Sequence, residues 1–264
     1  MIREIQKRLF ISLLFVIFVV STYGQTKNQR DEAGRKQGYW EAVDSRGALV
    51  YTGYFRDDKP VGEMKRYFPT GGVRAMMYHD HESTKVRVRF YWQNGELAAS
   101  GNYIDTQRDS VWTFYSNNTK TVTRRMEYDA GKINGKVQNF YPDGNVAEEI
   151  VWENGQKNGS WKQYFKNGQL KTTATYANHK LDGKFASYTP DGKTSIEGVY
   201  RNNVRDGEWN RYDEDGNLVI TIKYDGGIII NFEELEAIEQ QLFETMMEQL
   251  GNISEPTIDD LFGE

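Results

Sequence analysis

Residues Asn158 to Ala177 read NGSWKQYFKNGQLKTTATYA, and variants of this text recur eight times along the chain at a period of 24 residues. A first glycine falls at Gly38, Gly62, Gly135, Gly159, Gly183 and Gly207, with Val86 and Ser110 in the two remaining places, so one interval measures 25 residues and the other six 24. A second glycine follows at Gly47, Gly71, Gly95, Gly144, Gly168, Gly192 and Gly216, with Thr119 in the place of the eighth. Repeats of this length are single supersecondary units that bury their apolar surface by stacking on their neighbours.

Each unit has room for two strands of about six residues and two connections. The density of glycine excludes helix. Asp143-Gly144, Asn167-Gly168, Asp191-Gly192 and Asp215-Gly216 are pairs that tolerate the positive φ of tight hairpin turns. Asn134-Gly135, Asn158-Gly159, Asp182-Gly183 and Asp206-Gly207 are expected to mark the other connection. The second strand alternates, with Leu218, Ile220, Ile222 and Tyr224 on one face and Val219, Thr221 and Lys223 on the other. In the first strand Trp161 and Tyr164 lie three apart, so either both faces carry aromatics or a bulge intervenes. The expected fold is all-β: an elongated antiparallel sheet of about eight tandem hairpins over residues 34–230.

The pattern G-x-W-x-x-Y, then D-G-x-L, then Y, resembles the MORN-type repeat (membrane occupation and recognition nexus), in the variant found in tandem in bacterial proteins described as antitoxin-like. The likeness runs from about Gly38 to Gly227. It implies an elongated sheet of successive hairpins acting as an interaction scaffold, and it supplies no catalytic residues. The third and fourth units depart most, through Val86, Ser110 and Thr119.

Aromatic residues make up 14% of the chain, with Tyr the commonest, which suits half-exposed strands better than a thick core. The net charge of −5 is unevenly placed: residues 231–264 hold ten acids and no Lys or Arg, leaving +5 on residues 1–230. Without the amino-terminal charges the repeats carry about +3, too mild for a nucleic-acid partner. Residues 1–24 read as a secretory signal peptide. Arg3, Lys7 and Arg8 precede a 12-residue apolar run from Leu9 to Val20, and small residues stand before Gln25. That run falls short of the roughly 20 residues that span a bilayer, so no stable membrane span is expected after cleavage. The chain has no cysteine, which excludes disulfides and thiolate metal sites. The expected location is exported, periplasmic or secreted, in a bacterial envelope.

Residues 25–33 are expected to form a flexible lead-in. Residues 231–251 form an amphipathic helix, with Asn231 and Glu234 as a capping pair and Phe232, Leu235, Ile238, Leu242, Met246 and Leu250 at helical spacing. Its expected role is to cover the last strand, the alternative being a partner-binding helix. Residues 252–264 form an acidic tail.

No catalytic constellation, cofactor motif or metal site emerges. His79-Asp80-His81 lacks further ligands at a workable spacing, and Glu148 and Glu149 point to opposite faces of a strand. Trp40, Trp112, Trp161 and Trp209 are expected to pack as a seam. The candidate contact residues are an aromatic ladder five residues after each first glycine: Tyr67, Tyr91, Tyr115, Phe140, Tyr164, Tyr188 and Tyr212. These features favour a non-enzymatic module that binds a protein partner. The alternative is glycan or cell-wall recognition, because the aromatic hairpins also look somewhat like choline-binding cell-wall repeats.

Overall fold

A computed structural model describes residues 26–251. The expected signal peptide and acidic tail lie outside the described residues. The described chain is nearly all β, with 18 antiparallel strands and one helix, and it forms two compact units.

The first unit comprises residues 26–83 with 93–95. Its strands are β1 (Gln29–Arg30), β2 (Lys36–Val43), β3 (Leu49–Arg56), β4 (Lys59–Tyr67) and β5 (Val73–His79). Each pairs antiparallel with the next. The segment expected as a flexible lead-in instead carries β1. It is followed by a tight loop in which the Asp31 carboxylate accepts the backbone N–H groups of Ala33 at 3.0 Å and Arg35 at 2.9 Å. Trp40, Phe55 and Met64 form the buried core of this unit, with Tyr51 and Met77 packed against them.

The second unit comprises residues 84–92 and 96–251. It contains β6 (Val86–Tyr91), β7 (Leu97–Ile104), β8 (Gln107–Tyr115), β9 (Val122–Asp129), β10 (Lys132–Phe140), β11 (Val146–Glu153) and β12 (Gln156–Tyr164). There follow β13 (Leu170–Ala177), β14 (Lys180–Tyr188), β15 (Thr194–Arg201), β16 (Val204–Tyr212), β17 (Leu218–Asp225), β18 (Ile228–Ile229) and helix α1 (Phe232–Gly251). Every strand again pairs with its sequence neighbours.

The second glycines sit at turns, as their sequence pairs require. Phe165 N–H donates to the Gln169 carbonyl at 2.8 Å, Gly168 N–H to the Phe165 carbonyl at 2.9 Å, and Gly168 holds φ at 84°. The first glycines do not mark the other connection. They lie inside the first strand of each unit as bulge residues. Ile150 faces Trp161 and Trp152 faces Lys157, so Asn158, Gly159 and Ser160 together oppose Val151 alone, with Gly159 at φ 111°. A positive φ serves a turn and a bulge equally well, which is why the pair Asn-Gly does not separate them.

The true second connections are two-residue turns three to five residues upstream, including Asp57-Asp58, Asp105-Thr106, Asn154-Gly155, Asn178-His179 and Asn202-Asn203. Both residues of each pair have positive φ, the signature of a type I′ hairpin. These turns are tied to the preceding hairpin. Asn203 N–H donates to the Leu181 carbonyl at 2.8 Å, and its side-chain Oδ1 accepts from Leu181 N–H at 2.6 Å. His179 repeats the arrangement with Lys157, through its backbone N–H at 2.9 Å and its Nδ1 at 3.3 Å.

The 25-residue interval has a local cause. In the fourth unit Ser116 N–H reaches the Thr121 carbonyl, one residue further than Phe165 reaches, and Lys120 rather than Thr119 takes the positive φ of 60°.

Candidate functional site

The register assigns the two faces of the hairpins different chemistry. Along β12, Trp161 and Gln163 face Ala174 and Thr172, whereas Lys162 and Tyr164 face Thr173 and Leu170. Trp161 and Tyr164 fall on opposite faces of β12, so both faces carry aromatics, and a bulge intervenes as well: the register shifts between Gln163 and Tyr164, with the extra residue, Lys171, on β13. Glu148 and Glu149 divide likewise. Glu148 accepts from Trp161 Nε1 at 2.9 Å and Asn139 Nδ2 at 2.7 Å, while Glu149 accepts from Gln138 Nε2 at 2.9 Å and pairs with Lys136 at 3.4 Å.

The seam face holds the expected tryptophans. Trp40, Trp112 and Trp209 are buried, Trp112 completely, and Trp161 is half-buried. In the other units the same position is filled by Met64, Val88, Val137 and Phe185. Beside it runs a second set of rings, the closing aromatic of the repeat pattern: Phe55 and His79 in the first unit, then Tyr103, Tyr128, Trp152, Tyr176, Tyr200 and Tyr224 in the second. Every unit has a ring there, a regularity stricter than that of the ladder, which lapses at Val43.

Two tryptophan sites in the second unit are built alike. The Trp112 indole lies 5.0 Å from the Tyr103 ring, 6.4 Å from Tyr128 and 6.3 Å from Phe90. The Trp209 indole lies 4.9 Å from Tyr200, 6.4 Å from Tyr224 and 5.4 Å from Phe185. Arg108 covers the first at 4.7 Å and Arg205 the second at 4.6 Å, and each guanidinium donates to a tyrosine hydroxyl, of Tyr128 or Tyr224, at 3.0 Å. Hydrogen bonds to the Tyr224 and Tyr200 hydroxyls keep Arg205 above the ordinary guanidinium range. Each indole N–H is satisfied by a backbone carbonyl, of Asn102 at 3.0 Å or Val199 at 3.1 Å. Lys36 covers Trp40 at 4.9 Å, and Lys157 covers Tyr176 at 4.8 Å. The sequence carries the signal: a cation stands four residues before each seam tryptophan, at Lys36, Arg108, Lys157 and Arg205. The units without a seam tryptophan have Pro60, Thr84, Ile133 and Leu181 there. Cation–π contact explains the linkage at Trp40, Trp112 and Trp209, while Lys157 covers the Tyr176 ring beside Trp161.

The ladder residues Tyr67, Tyr91, Tyr115, Phe140, Tyr164, Tyr188 and Tyr212 lie on the opposite face, at the strand ends next to the glycine turns, and all are half-buried. Each pairs with the residue two after the second glycine position, Tyr164 with Leu170 and Tyr188 with Thr194 for example, except Tyr115, which pairs with Val122, three after Thr119. In the first unit the Tyr67 hydroxyl meets Thr52 Oγ1 at 3.2 Å. In the second, the Arg125 guanidinium covers Phe140 at 5.1 Å. Tyr212 donates to Glu197 at 2.6 Å, a bond to a carboxylate that raises the phenol above its usual range. Within the second unit the six ladder residues lie on the face away from the seam, and no two ladder rings stack on one another among the described residues. The rings there are set among Lys, Glu, Gln and Thr side chains.

Among the described residues no three His, Asp or Glu side chains converge to hold a cation, and no helix is long and apolar enough to cross a membrane.

The MORN repeat variant family model matches residues 133–154, 157–178 and 205–225. All three matches fall within the second unit. No curated protein matches. Among solved structures, a chain of the TcdB2-TccC3 crystal structure aligns with 76% of this chain at 9% identity and a TM-score of 0.19. This chain spans 14% of the length of that one.

Proposed function

We propose that this protein is a non-enzymatic interaction module, exported to a bacterial envelope, that presents its ladder face to a protein partner. The MORN-variant matches support a repeat-based interaction role. The observation that carries the choice of face is the division of labour between the two sides. The seam rings pack on one another under their cations, whereas among the described residues no two ladder rings stack and their neighbours are charged and polar side chains. Half-buried aromatics with a polar surround are the groups that anchor protein interfaces. The basic residues Arg3, Lys7 and Arg8 ahead of an apolar run, a pattern read as a secretory signal peptide, support the envelope assignment.

The test is crosslinking of the intact protein to envelope extracts, with the double variant Tyr164→Ala/Tyr188→Ala as comparison. The reading expects a specific crosslinked protein that is lost in the double variant while the fold persists by circular dichroism. Unchanged capture by the variant would remove the ladder face from the proposal.

A further inference from the structure

The geometry points to helix α1 as a docking element for a basic protein segment that carries an apolar stripe. This rests on the interaction-module reading and names a second contact surface and its partner's chemistry. Among the described residues the helix meets the sheet only at its start. Asn231 is buried and Leu235 and Ile238 are half-buried, but Phe243, Met246 and Met247 are 58%, 49% and 51% exposed. Those three stand at i, i+3 and i+4, on one side of the helix. Phe232, 61% exposed, lies about three turns earlier on the same side. Flexible methionines beside an aromatic ring form an adaptable apolar contact.

Charge selects the occupant. The helix carries Glu233, Glu234, Glu236, Glu239, Glu244 and Glu248 and no Lys or Arg. A second copy of the helix would set acid against acid. Residues 252–264 would do the same, since they add Glu255, Asp259, Asp260 and Glu264 without a cation. An anionic membrane surface is repelled on the same ground. A segment with Lys or Arg flanking an apolar stripe matches both features, because opposite charges at the rim steer and orient a hydrophobic contact.

The experiment titrates the intact protein with a fluorescent amphipathic peptide of Leu and Lys, and with its isomer in which every Lys is Glu. The expected result is saturable binding of the Leu/Lys peptide and none of the Leu/Glu peptide. In Phe243→Ser/Met246→Ser/Met247→Ser the affinity should fall by at least about tenfold, with the melting temperature of the strands unchanged. Equal binding by the triple variant would reduce the effect to nonspecific charge and overturn the inference. Binding that appears only after removal of residues 252–264 would assign the stripe to that tail. Concentration-dependent dimers abolished by the triple variant would assign it to a second copy. An envelope crosslink through the ladder that survives alongside any of these failures leaves the interaction-module reading standing and removes only the helix from it.

Discussion

Ser110 occupies a bulge position that six of the eight units give to glycine, and it does so at φ 57°. A left-handed conformation costs a residue with a Cβ about 1–2 kcal/mol. The short bond from Ser110 Oγ to Asp109 Oδ2 at 2.5 Å offsets part of that. Glycine there relieves the strain but gives the unfolded chain more freedom, so Ser110→Gly should stabilise by about 0.5–1 kcal/mol; a lower urea midpoint would contradict this account of the bulge. Gly101 is needed for a different reason. Its φ is ordinary, but a Cβ built on it would lie 2.4 Å from the Trp112 indole. Gly101→Ala should therefore cost about 1–3 kcal/mol through overpacking, and Trp112 fluorescence should report the displacement. A silent substitution would mean the indole does not rest on this backbone. His79 stands where the other units have Phe, Tyr or Trp, with its Nε2 buried and unpaired among the described residues. Burial lowers its pKa below 6.5, so the fold favours the neutral ring. The unfolded chain then binds the proton first. Stability should be intact above about pH 6.5 and decline as pH falls through the lowered folded value. His79→Phe should flatten that decline in thermal melts taken across the acid range. An unchanged slope would move its origin to another group.

Asn231 joins the last strand to the helix, and its side chain explains how the sheet ends. Its Nδ2 donates to the Thr221 carbonyl at 3.0 Å and its Oδ1 accepts from Lys223 N–H at 2.9 Å, so an amide side chain completes a ladder that the two-residue β18 cannot. The same residue opens the helix, since its carbonyl accepts from Leu235 N–H at 3.2 Å. Glu234, expected to close a capping box on the backbone, bonds instead to Asn231 Nδ2 at 3.2 Å. Asn231→Ala leaves two strand groups without partners and should destabilise by about 1–3 kcal/mol, read as loss of hydrogen-exchange protection at Lys223. Full protection in the variant would contradict the assignment. The sequence carried the hairpin unit, the glycine turns and the start of the helix, because each depends on a local preference. It did not separate bulge from turn at Asn158-Gly159, because both use the same backbone conformation and only strand register tells them apart. The ladder was found by its spacing from glycine. The Tyr103 and Tyr200 set was legible as the closing aromatic of the repeat pattern, but its packing around the seam tryptophans depends on strand register, and the cations at Arg108 and Arg205 were missed because lone charges in strands pass for solvated faces.

The last strand needs both a cover, the role expected of the helix, and a shielded edge. The structure separates them. Edge protection is local to residues 228–234, where Ile230 N–H donates to the Lys223 carbonyl at 2.9 Å and Asn231 fills the next position. The helix beyond them leaves Phe243, Met246 and Met247 exposed and contributes little burial to the strands. A chain stopped after Glu234 should therefore keep the melting temperature of the strands within about a degree or two, because few apolar side chains leave a buried place. A chain stopped after Gly227 loses β18 and Asn231 and bares the backbone of β17. An unpaired, partly apolar edge templates further pairing, so this shorter chain should both melt earlier and self-associate. Light scattering with calorimetry on the two truncations separates the roles. Equal destabilisation of both would restore the helix as a cover for the sheet. A monomeric, unaltered chain after removal back to Gly227 would show that β17 needs no protection, and that Asn231 acts only to start the helix.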